Sequence, residues 1–424
     1  MSAFACNPCC GSEHGVGWGW VNAIAANHEA WVLTAEFERA DIEKAVAADP
    51  ARYASIRFHY LPFHCPRWLD RLWPPSWLWR YRLWQRAAYR LGRKLHEEVG
   101  FDLVHLVTYV GFRVPGHLWK LDVPFVWGPI GGLENTPWRL LPLLGVRGAI
   151  YYAARNIVNS LHRRFLRLPR RAFAKAAATG TIIAATEGIR REIRRWYGHD
   201  SEVICEIGTP DEVAADHSVR RPGEPLRLAW SGRHDAGKAL HLLLKAVAML
   251  PAEVDWRLDI LGEGPCTKRW RRLAVKLAVD ARCTWHGWLP RDKAIGLIHD
   301  SHVFVITSLK DLTSTVLLEA LSQGVPVLCL DHCGFSDVVT EECGIKLAID
   351  QPGSLPRSLM QAIQAVWADE GHRRGMALSA LQRAISYSWQ GKERQICRVY
   401  DQSLPRKVAH PHVSGVRRED LQRA

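Results

Sequence analysis

The chain has 424 residues, 48% of them hydrophobic and 23% charged, which excludes a disordered or fibrous polypeptide and exceeds what one hydrophobic core commonly serves. Its formal net charge of +13 and pI of about 9.4 favour anionic partners: nucleic acid, anionic lipid or a phosphorylated substrate. No run approaches the ~18 consecutive apolar residues of a membrane-spanning helix. The opening MSAFACNPCCGSEHG lacks the basic and apolar regions of a secretion signal, so the expectation is a cytoplasmic protein.

Strands and helices alternate along the first half. Ser2 to Cys6 reads as a short strand, Cys9 to Gly17 as a glycine-containing loop and Trp18 to Asn27 as a helix. Strands follow at Ala30 to Thr34 and Ile56 to Leu61, with a helix over Ala40 to Ala48 between them and a long helix, Trp77 to Val99, after them. Leu103 to Val107 and Phe125 to Trp127 read as strands around a helix at Gly116 to Leu121; a basic helix spans Arg155 to Ala177. Thr181 to Ala185, Glu187 to Tyr197 and Val203 to Glu206 complete a strand, helix and strand. This rhythm implies a parallel sheet covered on both faces.

Residues 208–225, rich in Pro, Gly, Asp and Glu, read as a linker between a first domain, 1–207, and a second, 226–385. The second domain restarts the rhythm, with strands at Leu226 to Ser231, Trp256 to Leu261, Thr284 to His286, Val303 to Ile306 and Val325 to Leu328. Helices are expected at Leu355 to Asp369, His372 to Ile385 and Trp389 to Tyr400, and residues 404–424 read as a disordered basic tail. Eleven scattered cysteines suit reduced thiols in a cytosolic chain. Cys6, Cys9, Cys10 and His14 could in principle hold a metal, but no second Cys/His pair at ligand spacing accompanies them, so no metal is expected.

The chemistry concentrates in the second domain. From Val303 a buried strand runs into polar residues, then a helix over Val316 to Gln323, then the strand Val325 to Leu328. Such a strand, loop and helix start is where α/β proteins hold phosphate. Thr313, Ser314 and Thr315 offer hydroxyls and free N–H groups there, although simple helix capping would explain them equally. Asp311 and Glu319 are odd neighbours for a phosphate and suit hydroxyls beside it. Glu319 in particular, among Leu317, Leu318, Ala320 and Leu321, needs a partner, which a ribose diol would supply. Gly232-Arg233 closes an earlier strand, with Lys238 five residues on. At one sheet edge the two cations would grip a single anion; two solvated surface cations is the plainer alternative. Gly262-Glu263-Gly264 follows the next strand and lacks the third glycine of a dinucleotide fingerprint.

The ordered set GR-x4-K, LGEGP, HGW-LP, D-x7-E, EAL-x2-GVPV and CGF-x-D-VV resembles the retaining glycosyltransferases of family 4, over nearly the whole chain. The N-terminal GSEHGVGWGW and PFVWGPIGG are similar to the branch associated with bacterial exopolysaccharide and surface-glycan assembly. The resemblance implies an α/β GT-B fold, two Rossmann-like domains facing each other across a cleft, with a last helix, 386–403, packing back on the acceptor-binding first domain. It implies that Arg233 and Lys238 bind the donor diphosphate and that Asp311 faces the donor sugar, the three forming the catalytic set. Glu319 would hold the ribose and Thr313, Ser314, Thr315 and Val316 would give N–H groups to sugar and phosphate. Gly232 and Gly262 belong to the donor loops, Trp288 and Leu289 lie where the base is gripped, and Gly11 and Ser12 approach phosphate and acceptor. It implies a metal-independent hexosyltransferase without a cofactor, using a GDP- or UDP-sugar and a glycan or polyprenyl-linked acceptor. Three departures stand out: Asp311 is one methylene shorter than the family's glutamate, the segment after it is Leu312-Thr313-Ser314-Thr315 rather than glycine-bearing, and Gly128-Pro129-Ile130-Gly131-Gly132 stands where a sugar-contacting histidine is common. His105 reads as structural rather than as its replacement.

Two first-domain segments are basic and aromatic. Arg67 to Lys94 carries eight Lys/Arg and seven Trp/Tyr, and Arg139 to Lys175 has nine Lys/Arg and no acidic residue. Such segments suit the headgroup layer of an anionic bilayer, which would place the enzyme at the inner face of the plasma membrane. The competing expectations are a catalytically degenerate partner subunit, a nucleotide-sugar epimerase on the same fold, or a nucleic-acid-binding protein, for which no helix-turn-helix, zinc-finger or RNA-binding signature is found.

Overall fold

The structure, a computed structural model, describes residues 1–63, 76–109, 111–210, 213–214 and 216–404. The expectations on residues 64–75 and on the tail from 405 lie outside the described residues.

Among the described residues the first domain holds six strands: β1 (Ala30–Ala35), β2 (Ile56–Leu61), β3 (Val104–Leu106), β4 (Phe125–Ile130), β5 (Ile182–Ala184) and β6 (Glu202–Val203). β1 pairs with β2, and β3 to β6 lie side by side in chain order, all parallel. The N-terminal segment joins the two groups. Ser2 bridges both Leu33 and Leu106, and its N–H donates to His105 O at 2.8 Å. The strand expected at Ser2 to Cys6 is therefore present as a short central bridge, and its apolar residues Ala3, Phe4 and Ala5 are buried.

The first helix, Ser12–Ala25, starts six residues earlier than the sequence suggests. Its glycines permit close packing rather than forming a loop. A Cβ on Gly17 would stand 1.9 Å from the Ala5 carbonyl oxygen, and one on Gly19 would stand 2.0 Å from the Trp389 ring. Trp389 belongs to the final helix, Trp389–Ser403, which returns to the first domain and buries Ile396, Val399 and Tyr400 against Trp20, Val126 and Ile183. The single basic helix expected over Arg155 to Ala177 is instead two helices, Gly145–Phe165 and Arg167–Thr179, broken where Leu166 turns extended. The helix expected at Gly116 to Leu121 shrinks to one 3₁₀ turn, Leu118–Lys120.

The second domain holds β7 (Leu226–Ser231), β8 (Trp256–Leu261), β9 (Cys283–Gly287), β10 (Val303–Ile306), β11 (Val327–Leu330) and β12 (Gly344–Leu347). Their order is β12-β11-β10-β7-β8-β9, all parallel. This is the doubly wound arrangement, and β10 beside β7 is its topological switch point. β10 (VFVI) and β11 (VLCL) are continuous apolar runs because both faces of the sheet are covered, one around Trp230, Leu243 and Ile363, the other around Phe304, Leu318 and Ala380.

A bridge crosses between the domains before the linker. After β4 the chain runs through Trp138–Leu144, burying Leu140, Leu141 and Leu144 with Trp230 and Leu243 in the second domain's core. It then returns along helix Gly145–Phe165. Arg139 pairs with Asp350 of the second domain. Among the described residues no helix is long and apolar enough to cross a membrane.

Candidate donor and acceptor site

Ligands of doubly wound sheets sit beyond the carboxyl ends of the strands, at the switch point. β7 ends there in Ser231, followed by Gly232-Arg233 and the turn Ala236–Lys238. The Asp235 carboxylate caps this turn by accepting from Lys238 N at 3.2 Å. The Lys238 side chain folds back over Gly232, its Cδ 3.6 Å from where a Gly232 Cβ would stand, and its Nζ pairs with Asp311 Oδ2. The β10 exit is stitched to the same turn: the Thr307 hydroxyl donates to Lys238 O at 2.8 Å and Leu309 N to Gly237 O at 2.7 Å. Arg233 is exposed, and among the described residues no carboxylate pairs with it.

The neighbouring loops stack against this one. Gly262, at φ +103°, donates to Gly287 O at 2.7 Å, and a Cβ there would stand 2.2 Å from Gly232 O. Only glycine fits that contact and that backbone angle. Three loops, at Gly232, Gly262 and Gly287, thus line one edge. Trp288, next in the chain, is 78% exposed there, and Leu289 is half-buried. Gly11 and Ser12 are exposed at the start of the first helix.

Between β10 and helix Thr315–Ser322, four consecutive residues are each held differently. Lys310 Nζ donates to Glu134 O of the first domain at 3.0 Å. Asp311 takes Lys238. Leu312 packs on Gly131 of the first domain, 2.9 Å from the place of its Cβ. Thr313 donates twice to the Glu206 carboxylate, from N at 3.2 Å and from its hydroxyl at 3.0 Å. Thr313 is buried, and both of its donors are taken by Glu206. Ser314, at φ +76°, makes no side-chain cap, so the helix start at Ser314 and Thr315 keeps donors toward the edge. Glu319, expected to need a partner, has one in Arg291, whose Nε lies 2.9 Å from Oε1.

Several functional candidates escape the sequence reading. Glu206 stands inside the otherwise apolar run Val203 to Ile207, and burial pushes its carboxyl up to about 7. Lys392, buried on the final helix, donates to Cys205 O at 2.7 Å, and burial lowers its pKa. A cavity of about 330 Å³ opens between the domains, lined among others by Glu13, Trp77, Tyr81, Tyr109, Glu206 and Leu312. Glu13 Oε1 accepts Tyr109 N at 2.6 Å, and burial raises its pKa. Leu312, flanked by Asp311 and Thr313, is the wall this cavity shares with the loop after β10. A carboxylate signal was available at both Glu13 and Glu206, since each stands within an apolar or glycine-rich run. His105 is structural: its Nδ1 meets Tyr400 OH at 2.8 Å, its Nε2 meets Gly128 O at 2.9 Å, and burial lowers its pKa to about 3. His14, one of the four residues weighed as metal ligands, is bound by Glu38, whose hydrogen bond raises the imidazole pKa.

Comparison with known proteins places this geometry. Residues 174–383 match the family model described as glycosyl transferases group 1. The lipopolysaccharide core biosynthesis glycosyltransferase LpsE of Rhizobium meliloti is 29% identical over 153 residues, covering 35% of this chain and 44% of LpsE. The O-antigen chain mannosyltransferase B of Escherichia coli is 25% identical over 238 residues, 52% of this chain and 60% of the relative. The chain thus spans about half the length of the curated relatives it matches. Among solved structures, the lipopolysaccharide outer core galactosyltransferase WaaB superposes with a TM-score of 0.63 at 15% identity, covering 95% of this chain and 99% of WaaB. HepE of Anabaena in complex with UDP superposes at 0.61 and 14%, covering 93% and 98%. The fold is GT-B, and the stretch matched by the glycosyl transferases group 1 model, residues 174–383, includes the sheet edge at the switch point.

Proposed function

We propose that the protein transfers a sugar from a GDP- or UDP-sugar to a hydroxyl of a glycan or polyprenyl-linked acceptor, with retention at the anomeric carbon, in exopolysaccharide or surface-polysaccharide assembly. The observation that carries this reading is the edge at the switch point, where Lys238 and Arg233 stand beside the open start of helix Thr315–Ser322. HepE has been solved with UDP and with UDP-glucose, and the glycan-assembly names of LpsE and mannosyltransferase B support the pathway class.

In this reading Arg233 grips the diphosphate through its guanidinium fork and Lys238 adds a point charge. Both are worth more in the transition state, where charge develops on the leaving oxygen, by about 3 kcal/mol per contact. Ser314 and Thr315 give N–H groups to the phosphate. Glu319, oriented by Arg291, takes the ribose hydroxyls, Trp288 and Leu289 flank the base, and Asp311 faces the sugar. The acceptor enters the cavity between the domains, where Glu13 accepts from one of its hydroxyls and Trp77 and Tyr81 face its ring. The acceptor oxygen attacks on the face the diphosphate leaves; its proton passes to the departing phosphate oxygen as one C–O bond forms and the other breaks. The charge is met by protein cations, so no metal is invoked.

Thermal-shift measurement against a panel of nucleotide sugars tests this. A donor at 100 times its Kd adds about 2.7 kcal/mol, and Lys238→Ala and Glu319→Ala are each expected to abolish the shift while the fold persists. An unchanged shift in both variants overturns the donor-site assignment.

A further inference from the structure

Helix Gly145–Phe165 is inside out. A surface helix ordinarily buries its apolar stripe and shows water its polar face. Here the buried side is polar. Asn156 is 2% exposed and holds Thr136 twice, its Oδ1 accepting from Thr136 N at 3.0 Å and its Nδ2 donating to Thr136 O at 2.8 Å. Asn159 and Arg163 both donate to Leu133 O, at 3.0 and 2.9 Å, and Arg163 pairs with Glu192.

The outer side is apolar. Val146 is 79% exposed, Ile150 66%, Ile157 54%, Leu161 49% and Phe165 65%. At 100° per residue the first four fall within about 60° of arc, with Asn159 about 170° from its centre and Asn156 and Arg163 about 110–130° from it. Arg147, Arg155 and Arg164 are exposed along the same helix, and Arg167 follows it. Arg82, from helix Ser76–Val99, stands close enough to help depress the His162 pKa, behind burial and Arg113. That helix also exposes Trp79. A contiguous apolar face of this kind marks an interaction site.

We propose that this face docks on an anionic lipid bilayer, with helix Gly145–Phe165 lying in the headgroup plane. The charge pattern selects lipid over a protein partner. From Arg139 to Lys175 every ionic side chain is cationic, which matches a headgroup layer presenting phosphate along the whole length of the helix.

The inner side of the same helix reaches the donor loop. The Tyr152 hydroxyl stands 2.5 Å from the place of a Gly237 Cβ, and a Cβ on Gly148 would stand 3.2 Å from Ala236 Cβ. Docking therefore holds the helix that packs on the Ala236–Lys238 turn. The docking face stands independently of the glycosyl-transfer reading, which none of its contacts requires.

Co-sedimentation of the full chain with vesicles of phosphatidylcholine, alone or mixed equally with phosphatidylglycerol, tests the proposal at low and high salt. The wild type is expected to pellet with the anionic vesicles at low salt and to be released at high salt. Ile150→Glu with Leu161→Glu is expected to weaken binding on the order of a hundredfold. Arg147→Gln with Arg155→Gln and Arg164→Gln is expected to weaken it by a similar factor. All five side chains are exposed, so the unfolding midpoint and the nucleotide-sugar thermal shift stay unchanged; these controls separate failed docking from failed folding and from a failed donor site. The proposal is overturned if the wild type ignores anionic vesicles, or if the Ile150/Leu161 variant binds them undiminished. It is equally overturned if that variant instead breaks a self-associated wild type into monomers, which would make this a protein interface.

Discussion

Replacing Glu206 with glutamine tests the joint between donor loop and first domain. Burial pushes this carboxyl from its ordinary 4.5 to about 7, against the hydrogen bonds from Thr313 and the nearby Lys392, which favour the charged form. The sign follows from linkage. Below about pH 4.5 both folded and unfolded chains carry the proton and the site costs nothing. As pH rises the unfolded chain loses its proton first, so the native state binds more, and stability falls until the native group also ionises near 7. A rise of that size corresponds to about 3 kcal/mol. Glu206 also lines the cavity between the domains, and solvent there reduces the effect to on the order of 2 kcal/mol. Carbon-13 NMR of labelled glutamate should show one side chain titrating near pH 7 that is absent from Glu206→Gln. Urea midpoints should converge or cross between pH 5 and 8, with the wild type losing stability relative to the variant as pH rises. A wild-type-minus-variant difference that stays constant from pH 5 to 8 would refute the burial argument.

Gly262→Ala sets a Cβ against Gly232 O at a backbone angle of φ +103°; it should cost about 2–4 kcal/mol by urea denaturation and weaken nucleotide-sugar binding. Asn156→Ala strips Thr136 of both buried hydrogen bonds and should lower stability by about 2–3 kcal/mol, read in the same assay. Asp311→Asn releases Lys238 from its carboxylate; calorimetry should show a nucleoside diphosphate without sugar binding about fivefold tighter, the worth of a partly exposed pair. Unchanged affinity there means that the diphosphate does not use Lys238.

Five of the second sheet's six strands were legible because β10 and β11 are apolar runs and β7, β8 and β9 end at Gly232, Gly262 and Gly287, and parallel order turns such strand ends into one edge of loops; the edge strand Gly344–Leu347, with Lys346 inside it, gave no such signal. Gly232, Lys238, Gly262 and Asp311 come together for that reason alone. The start of the first helix was misjudged because Gly11, Gly15 and Gly17 look like loop residues. Gly15 packs on the Cys10 carbonyl and Gly17 on the Ala5 carbonyl, while Gly19 beside them makes room for Trp389 from the other end of the chain. Helix Gly145–Phe165 defeats periodicity outright, since its apolar stripe faces out while Asn156, Asn159 and Arg163 face in. The contacts of Thr313 with Glu206 and of Glu319 with Arg291 join residues from different elements, and local spacing does not encode such partners. Arg291 in particular removes the puzzle that made Glu319 conspicuous, so its orientation toward a ribose rests on the loop geometry around it rather than on an unmet charge.

The loop from Lys310 to Thr313 gives the two domains a shared stake in one ligand. Three of its side chains, those of Lys310, Leu312 and Thr313, engage the first domain at Glu134, Gly131 and Glu206. The fourth, Asp311, engages Lys238 of the second. Four neighbouring residues cannot move independently, because each peptide plane leaves only two soft dihedrals. An anion that draws Lys238 away from Asp311 therefore acts on a segment whose other contacts hold the first domain, and the titration of Glu206 acts on the same segment from the opposite side. The Lys238–Asp311 pair, the contacts with the first domain and the cavity walled by Leu312 meet in these four residues. The loop, more than either sheet edge, is where a change at one site is felt at the other.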